Sequence, residues 1–248
     1  MGSTQSRSRN HTILLAPVGA VVLSLIIASS VVRAETLVFF ASASGKQTND
    51  NGEGGGNPFA SALIEILARP SVKLSELPAA LRQLTIEKSK GFQSPDVPTS
   101  IAEHSLSLVP PYGAQRRIAL VLVVSDYNGS GGIESLPGAK YDSLRVASAL
   151  TRVGFNTEVA LDLGLQSMRE RLAAFRARSI ESDAAVVYTT GHGVEVAGTV
   201  YLMPGDYPVA ERDRSLGEKA LRLSEIADAL RAKKINLVFY GGCRDDPF

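Results

Sequence analysis

Ala184-Ala-Val-Val-Tyr-Thr-Thr-Gly-His-Gly193 is a short apolar run that stops at a histidine held between two glycines. A second run, Ile235-Asn-Leu-Val-Phe-Tyr-Gly-Gly-Cys243, stops at the only cysteine of the chain. Val-rich apolar runs of this length, ended by glycine, read as buried strands of a parallel sheet. Open α/β sheets carry their chemistry just beyond the carboxyl ends of such strands. The two runs therefore predict that His192 and Cys243, far apart in sequence, stand at neighbouring strand tips. A cysteine attacks a carbonyl as its thiolate, and a neighbouring imidazole is one way to generate it.

Around these runs the chain alternates strand and helix, which implies a parallel sheet with helices on its faces. Strands are expected at 117–125, 155–161, 184–189, 199–203 and 235–240, with helices at 139–153, 165–178 and 223–233 between them. Nearer the amino terminus, Thr36-Leu-Val-Phe-Phe-Ala41 reads as a further strand, and Asn57-Pro58 opens a helix with a capping residue and a proline in its first turn. A second helix is expected over 74–88. Between the first strand and first helix, residues 42–57 are rich in Gly, Ser and Asn and read as a flexible loop of functional length. Residues 89–115 are proline-rich, with one edge strand at 106–109.

Composition narrows the function classes. A chain of 248 residues that is 44% hydrophobic can bury one sizeable core. Its 26 basic and 25 acidic residues leave a net charge of +1, which gives no sign of a nucleic-acid partner. One cysteine cannot form an internal disulfide, and neither His192 nor Cys243 has a second His or Cys at ligand spacing, so no metal and no cofactor are expected. Arg7 and Arg9, the apolar run 12–32 and Val32-Arg33-Ala34 have the layout of an export signal, so residues 1–34 read as a signal peptide or, uncleaved, a membrane anchor. The expected location is periplasmic or secreted, or membrane-anchored.

Of the three histidines, His11 falls in the export signal and His104 in the proline-rich segment, which leaves His192 as the one at a strand tip. Glycines on both sides of it let backbone approach a substrate closely, and the N–H groups of Gly193 and Cys243 are the candidate oxyanion donors. The competing reading treats His192 as a turn residue and Cys243 as a small buried hydrophobe. Arg244-Asp245-Asp246, directly after the cysteine, argues instead for an exposed tip.

The residues resemble the caspase-like and metacaspase-like cysteine peptidases of the caspase-hemoglobinase fold. The likeness is carried by Arg117-Ile-Ala-Leu-Val, Leu136-Pro-Gly-Ala-Lys-Tyr-Asp142, Leu150-Thr-Arg-Val-Gly-Phe155, Thr190-Gly-His-Gly193, Tyr201-Leu-Met-Pro204 and Cys243-Arg-Asp-Asp-Pro-Phe248. It implies a three-layer α/β/α fold with a mostly parallel sheet of about six strands. It also implies an endopeptidase acting on peptide or protein substrates, with His192 as base, Cys243 as nucleophile and Gly193 in the oxyanion hole. Metacaspases hold a basic substrate side chain between two acids; Asp142 matches one of them, while Gly241 stands at the position of the other. That departure supports one alternative to a basic-specific peptidase, an inactive relative that binds peptides or partner proteins. The strand and helix alternation leaves another, a flavodoxin-like or receiver-like domain, which would leave both tips unexplained.

Residues 36–45, 57–63 and 93–95 resemble the smaller subunit of bacterial members, which there follows the cysteine strand and here precedes the larger part. The resemblance thus implies a circular permutation, similar to the subunit order of type III metacaspases. The expected organisation is residues 1–34 as signal or anchor, 35–104 as the smaller-subunit segment, 105–116 as linker and 117–248 as the catalytic segment. In that arrangement the strand at 36–41 should lie beside the strand at 236–240.

Overall fold

The computed structural model describes residues 1–2, 34–52, 55–99, 101, 106–109, 114–128, 132–208 and 216–245. Two compact units divide the chain, Met1–Val31 and Val32–Phe248, and all the described strands and helices belong to the second. The segment read as an export signal lies outside the described residues apart from its ends, and so does His104. Among the described residues, no helix is long and apolar enough to cross a membrane.

β1 (Thr36–Phe40) leads into α1 (Pro58–Leu67), the two-residue β2 (Val72–Lys73), a single 3-10 turn and α2 (Leu77–Lys88). After β3 (Ser107–Val109) comes the regular alternation: β4 (Arg117–Val123), α3 (Pro137–Arg152), β5 (Asn156–Leu161), α4 (Leu165–Ser179) and β6 (Ala184–Thr190). A hairpin of β7 (Gly193–Val196) and β8 (Thr199–Leu202) follows, then α5 (Leu216–Lys219), β9 (Leu221–Arg222), α6 (Leu223–Asp228) and β10 (Ile235–Tyr240). Local chemistry explains the starts: Asn57 caps α1 by accepting the Phe59 N–H at 2.8 Å, and Pro58 fills the position where no donor is needed.

Five strands form the central sheet in the order β1-β10-β6-β4-β5, every pair parallel. This is one strand fewer than the six expected. The run at 199–202 does form a strand, but it pairs antiparallel with β7 and β9 in a separate three-stranded sheet. Its alternating burial, against the unbroken burial of β4, β6 and β10, marks a strand covered on one face. The edge strand expected at 106–109 likewise pairs with β2 outside the central sheet.

Side chains alternate between the two faces of each strand and build two cores. Val121, Val186, Tyr188, Leu237 and Phe39 pack under α1, α2 and α3. Leu120, Leu122, Val187, Val238 and Tyr240 pack against Met168, Leu172 and Phe175 of α4 and Ile226 of α6. The result is the expected three-layer α/β/α arrangement.

β1 sits beside β10 in full register, from Thr36 opposite Asn236 to Phe40 opposite Tyr240. Phe39 and Phe239 stack with ring centroids 5.1 Å apart, and Phe59 of α1 lies 6.4 Å from Phe239. Buried Asn236 fixes the approach, since its amide donates to the carbonyls of Ala34 and Ala232 and accepts the Ala232 N–H. β1, α1 and α2 therefore share a core with the rest of this unit. Phe39→Ala should cost about 3–5 kcal/mol, read as a shift in the urea midpoint of a single unfolding transition. Two separate transitions, with the upper one unmoved, would show that the amino-terminal elements fold independently.

Candidate active site

His192 lies two residues past β6 and Cys243 three residues past β10, so both stand at the carboxyl edge of the sheet. They open on one cleft of about 380 Å³, together with Gly193. Asp142 and Gly241 are not among the residues lining it.

The histidine is held from three sides. Its backbone N–H donates to the Tyr127 hydroxyl at 2.9 Å, and its carbonyl accepts the Met203 N–H at 2.9 Å. Tyr127 is wholly buried, donates its own O–H to the Met203 carbonyl at 3.0 Å, and meets the imidazole edge-on at 4.7 Å between ring centroids. Burial pushes the Tyr127 phenol far above its ordinary range, so it keeps the proton it donates. On the ring, Nε2 lies 2.8 Å from the carbonyl oxygen of Glu134. A carbonyl only accepts, so this contact requires a proton on Nε2 and leaves Nδ1 as the basic nitrogen of the neutral ring.

The bond between Met203 and His192 makes them a hydrogen-bonded antiparallel pair, and the next pair, Gly193 with Leu202, is then a non-bonded one. The Gly193 N–H consequently points away from the hairpin ladder. Glycine is required there, because a Cβ would lie 1.8 Å from the Tyr240 hydroxyl and 2.8 Å from the Cys243 carbonyl. Tyr240 ties the two tips together from below, its buried hydroxyl reaching the carbonyls of both Tyr201 and Cys243 at 3.3 Å.

Cys243 is half-buried and receives the Thr48 N–H at 3.4 Å, with the Thr48 hydroxyl 3.5 Å from its Sγ. Thr48 belongs to the loop that the sequence reads as flexible, but the described part of that loop is pinned along its length. Asn49 N–H donates to Gln93, the Thr48 hydroxyl and the Asn57 amide donate to the Gly241 carbonyl, and the Asp50 carboxylate accepts the N–H groups of Gly138 and Ala139. The last contact places an anion at the first turn of α3, where the free N–H groups and the helix dipole favour it.

Of the charges after the cysteine, Asp245 stays partly exposed beside the cleft while Arg244 does not. Arg244 folds inward, bonded to Glu195 at 2.8 Å, Asp96 at 3.0 Å and the Ser42 carbonyl at 3.2 Å, with its guanidinium 3.9 Å over the Phe40 ring. Turning inward lets it bridge β7, the end of β1 and the cysteine tip.

Asp142 and Gly241 lie behind this tip. Gly241 has no room for a side chain: a Cβ would meet Thr190 at 2.9 Å. The Asp142 side chain is fully buried, accepting the Asn57 N–H at 2.7 Å and an Arg145 guanidinium N–H at 3.0 Å. Burial outweighs both donors and raises its carboxyl from 3.8 to about 7.

Tyr127, at the tip of β4, is where the strand-end rule would have found a further residue of the site. Thr48 and the Glu134 carbonyl left no such trace, one lying in a long loop and the other being backbone. Among known protein families, residues 116–248 match the caspase domain of peptidase family C14. No curated protein matches the chain.

A buried carboxyl whose folded value, about 7, exceeds its unfolded one stabilises the fold fully below the unfolded value and loses that contribution as pH rises through the folded one. Stability should therefore fall between pH 4 and pH 8 by up to about 4 kcal/mol more in the parent protein than in Asp142→Asn. Urea midpoints across that range check it; equal slopes would show that Asp142 titrates normally.

Proposed function

Because the chain belongs to the caspase-domain family of cysteine peptidases, we propose that it is a thiol endopeptidase with Cys243 as nucleophile and His192 as its base. The observation that carries this reading is the shared cleft, in which the Glu134 carbonyl commits one imidazole nitrogen and leaves the other to exchange protons. In the first step the sulfur bonds to the scissile carbonyl carbon, and the oxygen takes the negative charge toward the N–H groups of Gly193 and Cys243. Collapse breaks the carbon–nitrogen bond, and the imidazolium delivers its proton to the departing amine. Water, deprotonated by the same imidazole, then hydrolyses the thioester and frees the sulfur.

Cleavage after a basic residue is the finer part of this reading, and it rests on Asp142. Arg145 already holds that carboxylate, so a substrate cation would have to join or displace it. A fluorogenic series differing only before the scissile bond tests this: faster cleavage after Arg or Lys that Asp142→Asn removes would support it, and equal rates would sink it.

We further read residues 35–104 as the smaller-subunit segment, placed ahead of the catalytic one by permutation. Support comes from the full parallel register of β1 on β10. A reordered chain, with residues 34–109 joined by a flexible linker behind residue 245, should fold and cleave the same peptides. Export through residues 1–34 belongs to the same proposal; recovery outside the cytoplasm with a new amino terminus at Glu35 would support it.

For the dyad itself, Cys243→Ala and His192→Ala should each lower kcat roughly a thousandfold or more, and the double variant should lose little further. Labelling by a peptidyl thiol-reactive probe, followed by intact mass, should vanish in Cys243→Ala. Additive losses, or labelling that survives the substitution, would remove the shared step.

A further inference from the structure

The cleft is chemically lopsided. Beside Cys243 its wall is polar, with Gln47 donating to the Asp245 carboxylate at 2.9 Å. Apart from Glu134, His192 and two glycines, the remainder is lined by Ile133, Val194, Met203 and Tyr207. Three of these four are attached to the histidine. Met203 donates its N–H to the His192 carbonyl, Val194 is two residues further along the chain, and Ile133 precedes the Glu134 carbonyl that holds Nε2. Val194, Met203 and Tyr207 are almost entirely buried and form a floor, while Ile133 is half-buried at its side. The apolar part of the cleft is thus the part next to His192.

Position along a bound peptide follows from the chemistry of the two tips. When the thioester forms, the acyl half of the substrate stays on the Cys243 sulfur. The carbon–nitrogen bond breaks as the nitrogen takes its proton from the His192 imidazolium, so the departing half must lie against the histidine. We propose that Ile133, Val194, Met203 and Tyr207 form a subsite for an apolar side chain on the first residue of that departing half, the residue directly after the cut. This rests on the thiol-peptidase reading, and it makes the enzyme selective on both sides of the scissile bond. A pocket of this composition gains affinity from removing apolar surface from water, and a carboxylate would have to give up its hydration against the same apolar surface.

The experiment uses the full chain and a peptide library randomised before the cut, with Gly, Ser, Asp, Leu or Met fixed after it. Mass spectrometry assigns each cleavage site. Leu and Met should exceed Gly in kcat/KM by roughly 10–100-fold, and Asp should be the poorest. In Ile133→Ser, compared at matched thermal stability, the Leu-to-Gly ratio should shrink several-fold, a change that a merely structural role would not produce. Cleavage with no preference after the cut, or a ratio unmoved by Ile133→Ser, would overturn the subsite alone. No cleavage at all, together with no labelling of Cys243 by a peptidyl thiol-reactive probe, would overturn the peptidase reading and the subsite with it.

Discussion

The parallel register between β6 and β10, which sets Tyr240 opposite Thr189, is the constraint on which the site depends. From that alignment each chain leaves the sheet at the same edge, one toward His192 and the other toward Cys243. A slip of one residue would turn every side chain of a strand to the opposite face. Here it would send Val186 and Leu237 out of the core under α1 and α3 and carry the tips out of step. The burial of both strands over their whole length makes such a slip costly, so the same apolar contacts that hold the fold also set the geometry of the chemistry.

Two buried tyrosines convert this alignment into a fixed site. Tyr127 binds the backbone on both sides of the histidine hairpin, and Tyr240 lies beneath Gly193 and the Cys243 carbonyl. Both phenols are raised by burial and stay protonated, so they act as permanent donors. An aromatic ring fills the core while its hydroxyl reaches the strand tip, which is why this residue type suits the boundary between sheet and loop.

The amino-terminal elements complete what residues 117–245 do not supply by themselves. β1 covers the edge of β10, and the loop behind it brings Thr48 to the sulfur and Asp50 to the start of α3. Arg244 closes the arrangement as a buried cation between Asp96 and Glu195. Its charge is tolerable inside the protein because two carboxylates and a carbonyl meet it, and removing one partner would leave the remainder unbalanced.

From sequence alone the strand and helix alternation, the two tips and the neighbour relation of β1 and β10 could all be read. The neighbour relation of β1 and β10 followed from the resemblance of residues 36–45, 57–63 and 93–95 to a smaller subunit that elsewhere follows the cysteine strand. The alternation and the tips are written in local patterns, namely apolar runs of strand length and glycines at their ends. The same patterns over-counted the central sheet, because β8 carries the residues of a strand without stating which sheet it joins. Long-range packing decided that, pairing it with β7 in a hairpin. Packing also decided that the described part of the loop 42–57 is held, that Arg244 turns inward, and that Asp142 is sealed behind the tip with Arg145. A side chain's charge can be read from one residue, whereas its burial depends on neighbours that arrive from distant parts of the chain, as the contacts of Arg244 with Ser42, Asp96 and Glu195 do.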